Sequence, residues 1–157
     1  MSKKPIQALQ IPAQQGASIY PEPFKALVAG RTKHKLGDYF GLSNFGANLT
    51  ELAPNSISAL AHHHSKQDEF IYILEGEATL KLGDETHHLK AGDCMGFAKG
   101  EGIAHQLMNT SNHIVRYLEI GDRTLGDSVV YPDNDITAHY DEKEGWQFTH
   151  KDGSAAY

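Results

Sequence analysis

The feature that most constrains the fold of this chain is the close alternation of short apolar segments with turn residues from Tyr20 onward. Pairs such as Glu75-Gly76, Gly83-Asp84 and Gly92-Asp93 separate these segments, and such residue types favour tight turns. No stretch carries a sustained apolar stripe at the helical period, so helix is expected to be a minor component. The pattern predicts an antiparallel all-β fold, either a sandwich or a barrel.

The strand pattern recurs in segments of a few residues each. Phe70–Leu74 is apolar on both faces, which predicts a strand that is covered on both sides. Residues 132–157 are polar and are expected to add a short closing strand. The predicted strands are Ala26–Ala29, Asn48–Leu52, Ile57–His62, Glu69–Leu74, Glu77–Leu82, Thr86–Lys90, Cys94–Ala98, His105–Met108 and Ile114–Ile120.

The length and charge of the chain restrict its class. Its 157 residues suit one domain, and we expect a flexible polar N-terminal arm over residues 1–19 followed by a barrel domain over 20–157. The 14 basic and 20 acidic residues give a formal net charge of −6. That balance argues against nucleic acid and against an anionic membrane surface as partners, because both require positive charge.

Because no signal peptide is recognised and only one cysteine is present, we expect a cytoplasmic location. The first residues contain no apolar stretch that would serve as a signal peptide, and the longest apolar run, Phe70–Leu74, is too short to span a bilayer. The single cysteine, Cys94, forms no internal disulfide and is expected to be a small buried apolar residue. His34, within the basic stretch 31–35, is expected on a wet surface or at a subunit contact.

Ten histidines are present, and three of them suggest a metal site together with one carboxylate. On a strand, His62 and His64 project to the same face, because side chains alternate with period two. Glu69 begins the next strand, and His105 opens a later one. Such a mixed nitrogen and oxygen set suits Fe, Mn, Ni, Cu or Zn and leaves coordination positions open. A histidine pair at this spacing is, however, more often a surface or core feature than a ligand pair.

The joint spacing of these residues resembles the first sequence motif of the cupin superfamily. That motif reads Gly-x5-His-x-His-x3–4-Glu-x6-Gly. Here His62, His64, Glu69 and Gly76 match every spacing, while Ser56 stands at the position of the leading glycine.

The second cupin motif, Gly-x5-Pro-x-Gly-x2-His-x3-Asn, is matched at its two ends. Gly92 opens it, and Gly102, His105 and Asn109 close it at the family's spacing. Its middle departs from the family, because Ala98 takes the place of the proline and two extra residues follow. The resemblance covers about residues 46–120 and is closest to small single-domain bacterial cupins of largely unassigned activity.

The resemblance implies a jelly-roll barrel, or double-stranded β-helix, that holds one divalent metal ion. His62, His64, Glu69 and His105 would be the ligands. Glu69 would also be the catalytic residue, either remaining bound or leaving the ion to act as a general base. Cupins commonly pair sheet to sheet, and the doubly apolar strand is consistent with a homodimer.

Strand parity extends the prediction to the walls of a pocket for a small molecule. These walls would be mostly aliphatic, without lysine or arginine, although an unknown register of the last strand leaves Arg116 open. This lining favours oxygen-dependent cleavage by a dioxygenase over a sugar-phosphate isomerase, because a phosphate requires a cationic clamp. A non-catalytic, metal-held binding protein is the third hypothesis, and the aliphatic side chains could also simply fill the barrel. The predicted pocket residues are Ser58, Leu60, Ile71, Ile73, Ile103 and Leu107.

Overall fold

Antiparallel strands account for most of the regular structure in the computed structural model, which describes residues 3–156. The described helices are one 3₁₀ turn, Ala8–Gln10, and two short helices, α1 (Phe24–Leu27) and α2 (Leu36–Phe40). The strands are β1 (Ala13–Gln15), β2 (Arg31–Lys35), β3 (Phe45–Leu52), β4 (Ser56–Ile57), β5 (His63–His64), β6 (Glu69–Glu75), β7 (Glu77–Leu82), β8 (Glu85–Lys90), β9 (Cys94–Phe97), β10 (His105–Asn109), β11 (Val115–Asp122), β12 (Ser128–Val130), β13 (Thr137–Asp141) and β14 (Gly145–Thr149).

The strands form three sheets, and neighbouring strands within a sheet are often not consecutive in the chain. The first runs β1-β2-β3-β11-β6-β9, the second β4-β10-β7-β8 and the third β14-β13-β12-β5. His62, just before β5, and His105, the first residue of β10, form an isolated antiparallel bridge with backbone N–H to carbonyl distances of 3.1 and 2.9 Å. Neighbouring strands far apart in sequence, such as β3 and β11, are typical of a jelly roll. The all-β prediction is therefore confirmed.

Two apolar clusters hold the sheets together. The first lies between the six-stranded sheet and the β4-β10-β7-β8 sheet, and includes Leu52, Ile73 and Val115, each fully buried. The second lies under the C-terminal sheet and is built around Val28 and Ile136, also fully buried. Burial of these side chains supplies most of the driving force for closing the barrel.

Several parts of the predicted strand pattern differ from the structure. The predicted strand Ile57–His62 is wrong over most of its length, because only Ile57 lies in a strand, β4, residues 58–61 form bends and His62 makes an isolated bridge. The segment Ala26–Ala29 was expected as a strand but overlaps α1, where local backbone bonds such as Lys25 N–H to Pro21 O (3.1 Å) replace sheet pairing. β2 carries no strand signal in the sequence, because its residues are all polar. The expected single closing strand is a pair, β13 and β14, which joins β12 to form the third sheet with β5.

The segment expected as a flexible arm is not confirmed as one over its described residues. β1 pairs antiparallel with β2, and Ile11 is buried. His34 is buried rather than wet, and its Nδ1–H donates to the carbonyl of Ile11 at 2.6 Å. The prediction for His34 was wrong because the N-terminal segment covers that face of β2. The division of the chain at residue 19 stays a prediction.

The outer face of β6 is apolar and uncovered within the described chain. Phe70, Tyr72 and Leu74 are exposed, whereas Ile71 and Ile73 on the inner face are buried. Cys94 pairs with Tyr72 and is also exposed, so its predicted burial is wrong. The homodimer that would cover this face stays a prediction. Among the described residues, no helix has the length and hydropathy to cross a membrane.

Gly76 at the turn between β6 and β7 has a backbone conformation that requires glycine. Its φ is +83°, and an added Cβ would lie 2.8 Å from the carbonyl oxygen of Ile114. We expect Gly76→Ala to lower the free energy of unfolding by about 1–3 kcal/mol, measured by chemical denaturation. Gly92→Ala is the matched control, because Gly92 has a φ of +99° but open space around it. Equal losses in the two variants would contradict the predicted clash.

Candidate metal centre

Four side chains converge where strands of different sheets begin or end. His62 lies in the bridge before β5, His64 ends β5, Glu69 begins β6 and His105 begins β10. The Nε2 atoms of His62 and His64 each lie 3.4 Å from Glu69 Oε2, and Nε2 of His105 lies 2.9 Å from it. The tightest group comprises His62, Glu69 and His105, whose ligand atoms all lie within 4.8 Å of one another. His64 joins this group through Glu69.

The geometry of these atoms fits a divalent ion. Glu69 Oε2 is buried and accepts no hydrogen bond, although the His105 nitrogen is close, so the contact is not a well-directed hydrogen bond. Ligand atoms roughly 2.1 Å from one ion are about 3.0–3.5 Å from each other at octahedral or tetrahedral angles. The observed separations are close to that range. A three-nitrogen, one-oxygen set of this kind suits first-row transition metals and zinc.

The other ring nitrogens orient the histidines. His62 Nδ1–H donates to the carbonyl of Leu60 at 2.7 Å, and His64 Nδ1–H donates to Asp127 Oδ2 at 2.5 Å. His105 is held by stacking instead, since its ring lies 3.6 Å from that of Phe97 at an angle of 6°. A donor bond at Nδ1 places the remaining lone pair on Nε2, which is the atom facing Glu69.

Asp127 is a residue of the candidate site that sequence reasoning missed. Its side chain is fully buried and also accepts from Ser65 Oγ at 3.1 Å and from the Lys66 N–H at 2.7 Å. It lies in the loop before β12, beyond the region that resembles the cupin motifs. No spacing in the sequence connects it to His64.

The charges of the cluster favour an ionised carboxylate. Burial alone would raise the pKa of Glu69, but the close imidazoles of His105 and His62 hold it well below its usual value. Burial works against a charged His62, yet the nearby carboxylate of Glu69 raises the pKa of that imidazole. Burial lowers the pKa of His105. Glu69 is therefore negative at neutral pH, as a ligand to a divalent ion must be.

The cluster opens into a cavity of about 390 Å³. Of the predicted pocket residues, Ser58, Ile71 and Leu107 line it. Leu60 and Ile73 are instead buried in the two apolar clusters. Ile103 is 49% exposed in the loop before β10, where strand parity does not apply.

Much of the remaining wall is polar and comes from the inner faces of β2, β3 and β11. Its most important members, none of them predicted, are Arg31, Lys33, Asn48, Tyr117 and Glu119. The sequence did not predict that these side chains face the cavity, because β2 was not recognised as a strand and its pairing with β3 could not be assigned. Arg116, which the sequence left open, is instead bonded to Glu51 and Glu75 and does not line the cavity.

The Lys33 ammonium and the Glu119 carboxylate form an ion pair on this wall. Asn48 Nδ2 donates to Glu119 Oε1 at 2.9 Å, and the Tyr117 hydroxyl donates to Oε2 at 3.2 Å. Burial would raise the pKa of Glu119, but the charge of Lys33 brings it below its usual value. Glu119 is therefore ionised at neutral pH.

Arg31 is the second cation of the wall and is 8% exposed. Its Nη1 donates to the Ser58 carbonyl and its Nη2 to the Ala17 carbonyl (2.8 Å), while Nε has no hydrogen-bond partner. Neither partner is a carboxylate. The guanidinium charge thus has no hydrogen-bonded counter-ion.

Two tyrosines complete the wall beside the metal cluster. The rings of Tyr20 and Tyr131 pack edge to face with their centroids 5.6 Å apart. Burial raises the pKa of both hydroxyls above the usual value for tyrosine. Both remain protonated at neutral pH and so can donate hydrogen bonds.

Comparison with known proteins identifies the family. A model of the cupin domain matches residues 48–121. The solved structure of a sugar phosphate isomerase from a cupin superfamily, from Silicibacter pomeroyi DSS-3, shares 35% identity and a TM-score of 0.91, covering 98% of this chain and 97% of that one. The chain belongs to the cupin superfamily. The matched region nearly coincides with residues 46–120, which the motifs of this cupin had indicated.

Two further structures place this cupin among its relatives. A protein from Acidithiobacillus ferrooxidans ATCC 23270, provisionally named a sugar phosphate isomerase, shares 28% identity and a TM-score of 0.73, with 81% of this chain and 80% of that one covered. The polyketide cyclase RemF from Streptomyces resistomycificus shares 23% identity and a TM-score of 0.62, with 78% and 80% covered, which shows the common fold alone. No curated protein is detectably similar in sequence.

Proposed function

We propose that this cupin is a metal-dependent isomerase that interconverts the aldose and ketose forms of a small phosphorylated sugar. The observation that carries this proposal is Arg31, a buried cation in the same cavity as the three histidines and Glu69. Its guanidinium donates to backbone carbonyls and to no carboxylate, although the charge of Glu119 is close enough to interact with it. The name of the Silicibacter pomeroyi relative, which matches over nearly the whole chain, supports the same reaction class.

The charge of the cavity favours an anionic substrate. Its described lining carries three basic residues, Arg31, Lys33 and Arg123, and three acidic ones, Glu69, Glu119 and Asp122. A divalent ion would leave the lining with two excess positive charges. A buried charge is costly without a counter-ion, and a phosphate dianion would supply one. Arginine suits this role because its planar donors match phosphate oxygens.

The residues around the cluster suit proton transfer between neighbouring carbons. When bound by His62, His64, Glu69 and His105, a divalent ion would supply a Lewis acid that polarises the substrate carbonyl. Isomerisation then moves one proton from C2 to C1 and one hydroxyl proton between the two oxygens, without any oxidant. Glu69, as the proposed catalytic base, would leave the ion to take the C2 proton, because Oε2 is the atom that the three imidazole nitrogens face. The hydroxyls of Tyr20 and Tyr131 would donate to substrate oxygens.

The polar wall removes the main argument for a dioxygenase. That expectation depended on an aliphatic pocket without cations, whereas Arg31 and Lys33 line the cavity. The cationic group required by the isomerase alternative is present on β2. A non-catalytic binding role is distinguished from an isomerase by measurement of turnover.

The proposal is tested with protein reconstituted separately with manganese, iron and zinc. Tetrose, pentose and hexose phosphates are incubated with it in D2O and followed by proton NMR. We expect deuterium to enter at C1 or C2 of at least one aldose phosphate, with formation of the ketose, and the same sugars without phosphate to react much more slowly. Binding of sugar phosphates without exchange, or oxygen consumption instead of exchange, would overturn the proposal.

A further inference from the structure

Lys33 and Glu119 form an ion pair that is separate from the candidate metal ligands but lines the same cavity. Their side chains are only 21% and 22% exposed. The free energy needed to remove such a pair from water usually exceeds the free energy gained from its electrostatic attraction. Apolar residues at these positions would therefore stabilise the barrel equally well or better. A costly polar group in a cavity wall indicates a role in ligand binding.

The contacts of this pair leave hydrogen-bonding capacity on both partners. Glu119 Oε1 accepts from Lys33 and Asn48, and Oε2 accepts from Tyr117. A carboxylate has about four acceptor positions, and an ammonium has three N–H donors. Lys33 and Glu119 can therefore donate to and accept from the same ligand.

The position of these residues makes the arrangement rigid. Asn48 lies directly opposite Glu119 in the pairing of β3 with β11, and Lys33 lies opposite Thr50 in the pairing of β2 with β3. The three side chains are thus neighbours on the inner face of the six-stranded sheet. A site built on paired strands holds its donors and acceptors more firmly than a loop does.

The chemistry of the pair selects a neutral group that both donates and accepts. Glu119 repels a phosphate, and Lys33 repels a cation, whereas a hydroxyl can accept from the ammonium and donate to the carboxylate. We propose that Lys33, Asn48 and Glu119 form a hydroxyl clamp that recognises the hydroxylated carbon chain of the substrate. This inference rests on the proposed function, in which Arg31 takes the phosphate.

The clamp is tested by binding rather than by turnover. Glucitol 6-phosphate, which cannot isomerise, and analogues that each lack one hydroxyl are titrated into zinc-loaded protein by calorimetry. We expect loss of at least one hydroxyl to weaken binding about tenfold or more, because the buried polar groups are then left unpaired. The selectivity ratio is the dissociation constant of the analogue divided by that of glucitol 6-phosphate. In Glu119→Gln, we expect this ratio to fall below about threefold.

Two further variants control the experiment. Glu51→Gln removes a carboxylate that bonds Arg116, outside the cavity lining, and should leave the ratio unchanged. If Glu119→Gln does not fold because Lys33 loses its partner, the double variant Lys33→Met/Glu119→Leu removes both charges together. Thermal unfolding of each variant reports its stability separately from its selectivity.

The outcomes separate the clamp from the isomerase. Equal affinities for all the polyol phosphates, or an unchanged ratio in the folded Glu119→Gln or double variant, would overturn the clamp alone. Turnover of an aldose phosphate without binding of any polyol phosphate would also overturn only the clamp. Absence of both turnover and binding would overturn the clamp and the proposed function together.

Discussion

His62→Ala/His64→Ala protein is expected to contain no stoichiometric metal after reconstitution, whereas the parent chain holds one ion. The two changes remove two of the three nitrogens that face Glu69 Oε2 and leave too few ligands for a firm site. Metal content of tag-free protein by mass spectrometry measures the difference.

The matched control for this loss is His87→Ala/His88→Ala. It removes the same number of histidines from β8, away from the cluster, and should keep the ion. Retention of one ion per chain in His62→Ala/His64→Ala would show that the metal binds elsewhere. An absence of metal from the reconstituted parent chain would contradict the site itself.

Asp127→Asn is expected to weaken metal binding by about 10- to 100-fold. The Asp127 carboxylate accepts from His64 Nδ1, and an amide would remove the charge and allow the other ring tautomer. Competition with a chromophoric chelator gives the dissociation constant. Asp133→Asn is the control, since Asp133 is exposed and pairs with Lys81. Equal constants for Asp127→Asn and the parent chain would show that the bond to His64 does not tune the site.

The proximity of the candidate ligands was largely predictable because most of them are close together in the chain. His62 lies in the bridge just before β5, His64 ends β5 and Glu69 begins β6, so their short separation in the chain restricts how they can meet. The inclusion of His105 among the candidate ligands depended on the resemblance to cupins. Its bridge to His62 explains why the two motifs lie side by side. Asp127 could not be found this way, because its contact with His64 depends on how the third sheet closes.

The cavity wall was predicted least well, for a physical reason. Sequence patterns detect strands by their apolar residues, whereas β2 directs Arg31 and Lys33 into a polar cavity and so lacks that signal. Parity placed Ile71, Ile73 and Leu107 on inner faces because all three lie inside regular strands, although Ile73 packs in the apolar cluster and does not reach the cavity. It failed for Ile103, which precedes β10 in a loop.

The bridge between His62 and His105 has a consequence for how such a protein can diverge. These two candidate ligands have backbones that are hydrogen-bonded to each other, so their separation is fixed by the barrel and not by the cavity wall. The wall that meets a substrate is contributed by other strands, β2, β3 and β11. Mutations on those strands can therefore change which molecule binds in the cavity without altering the positions of the candidate ligands.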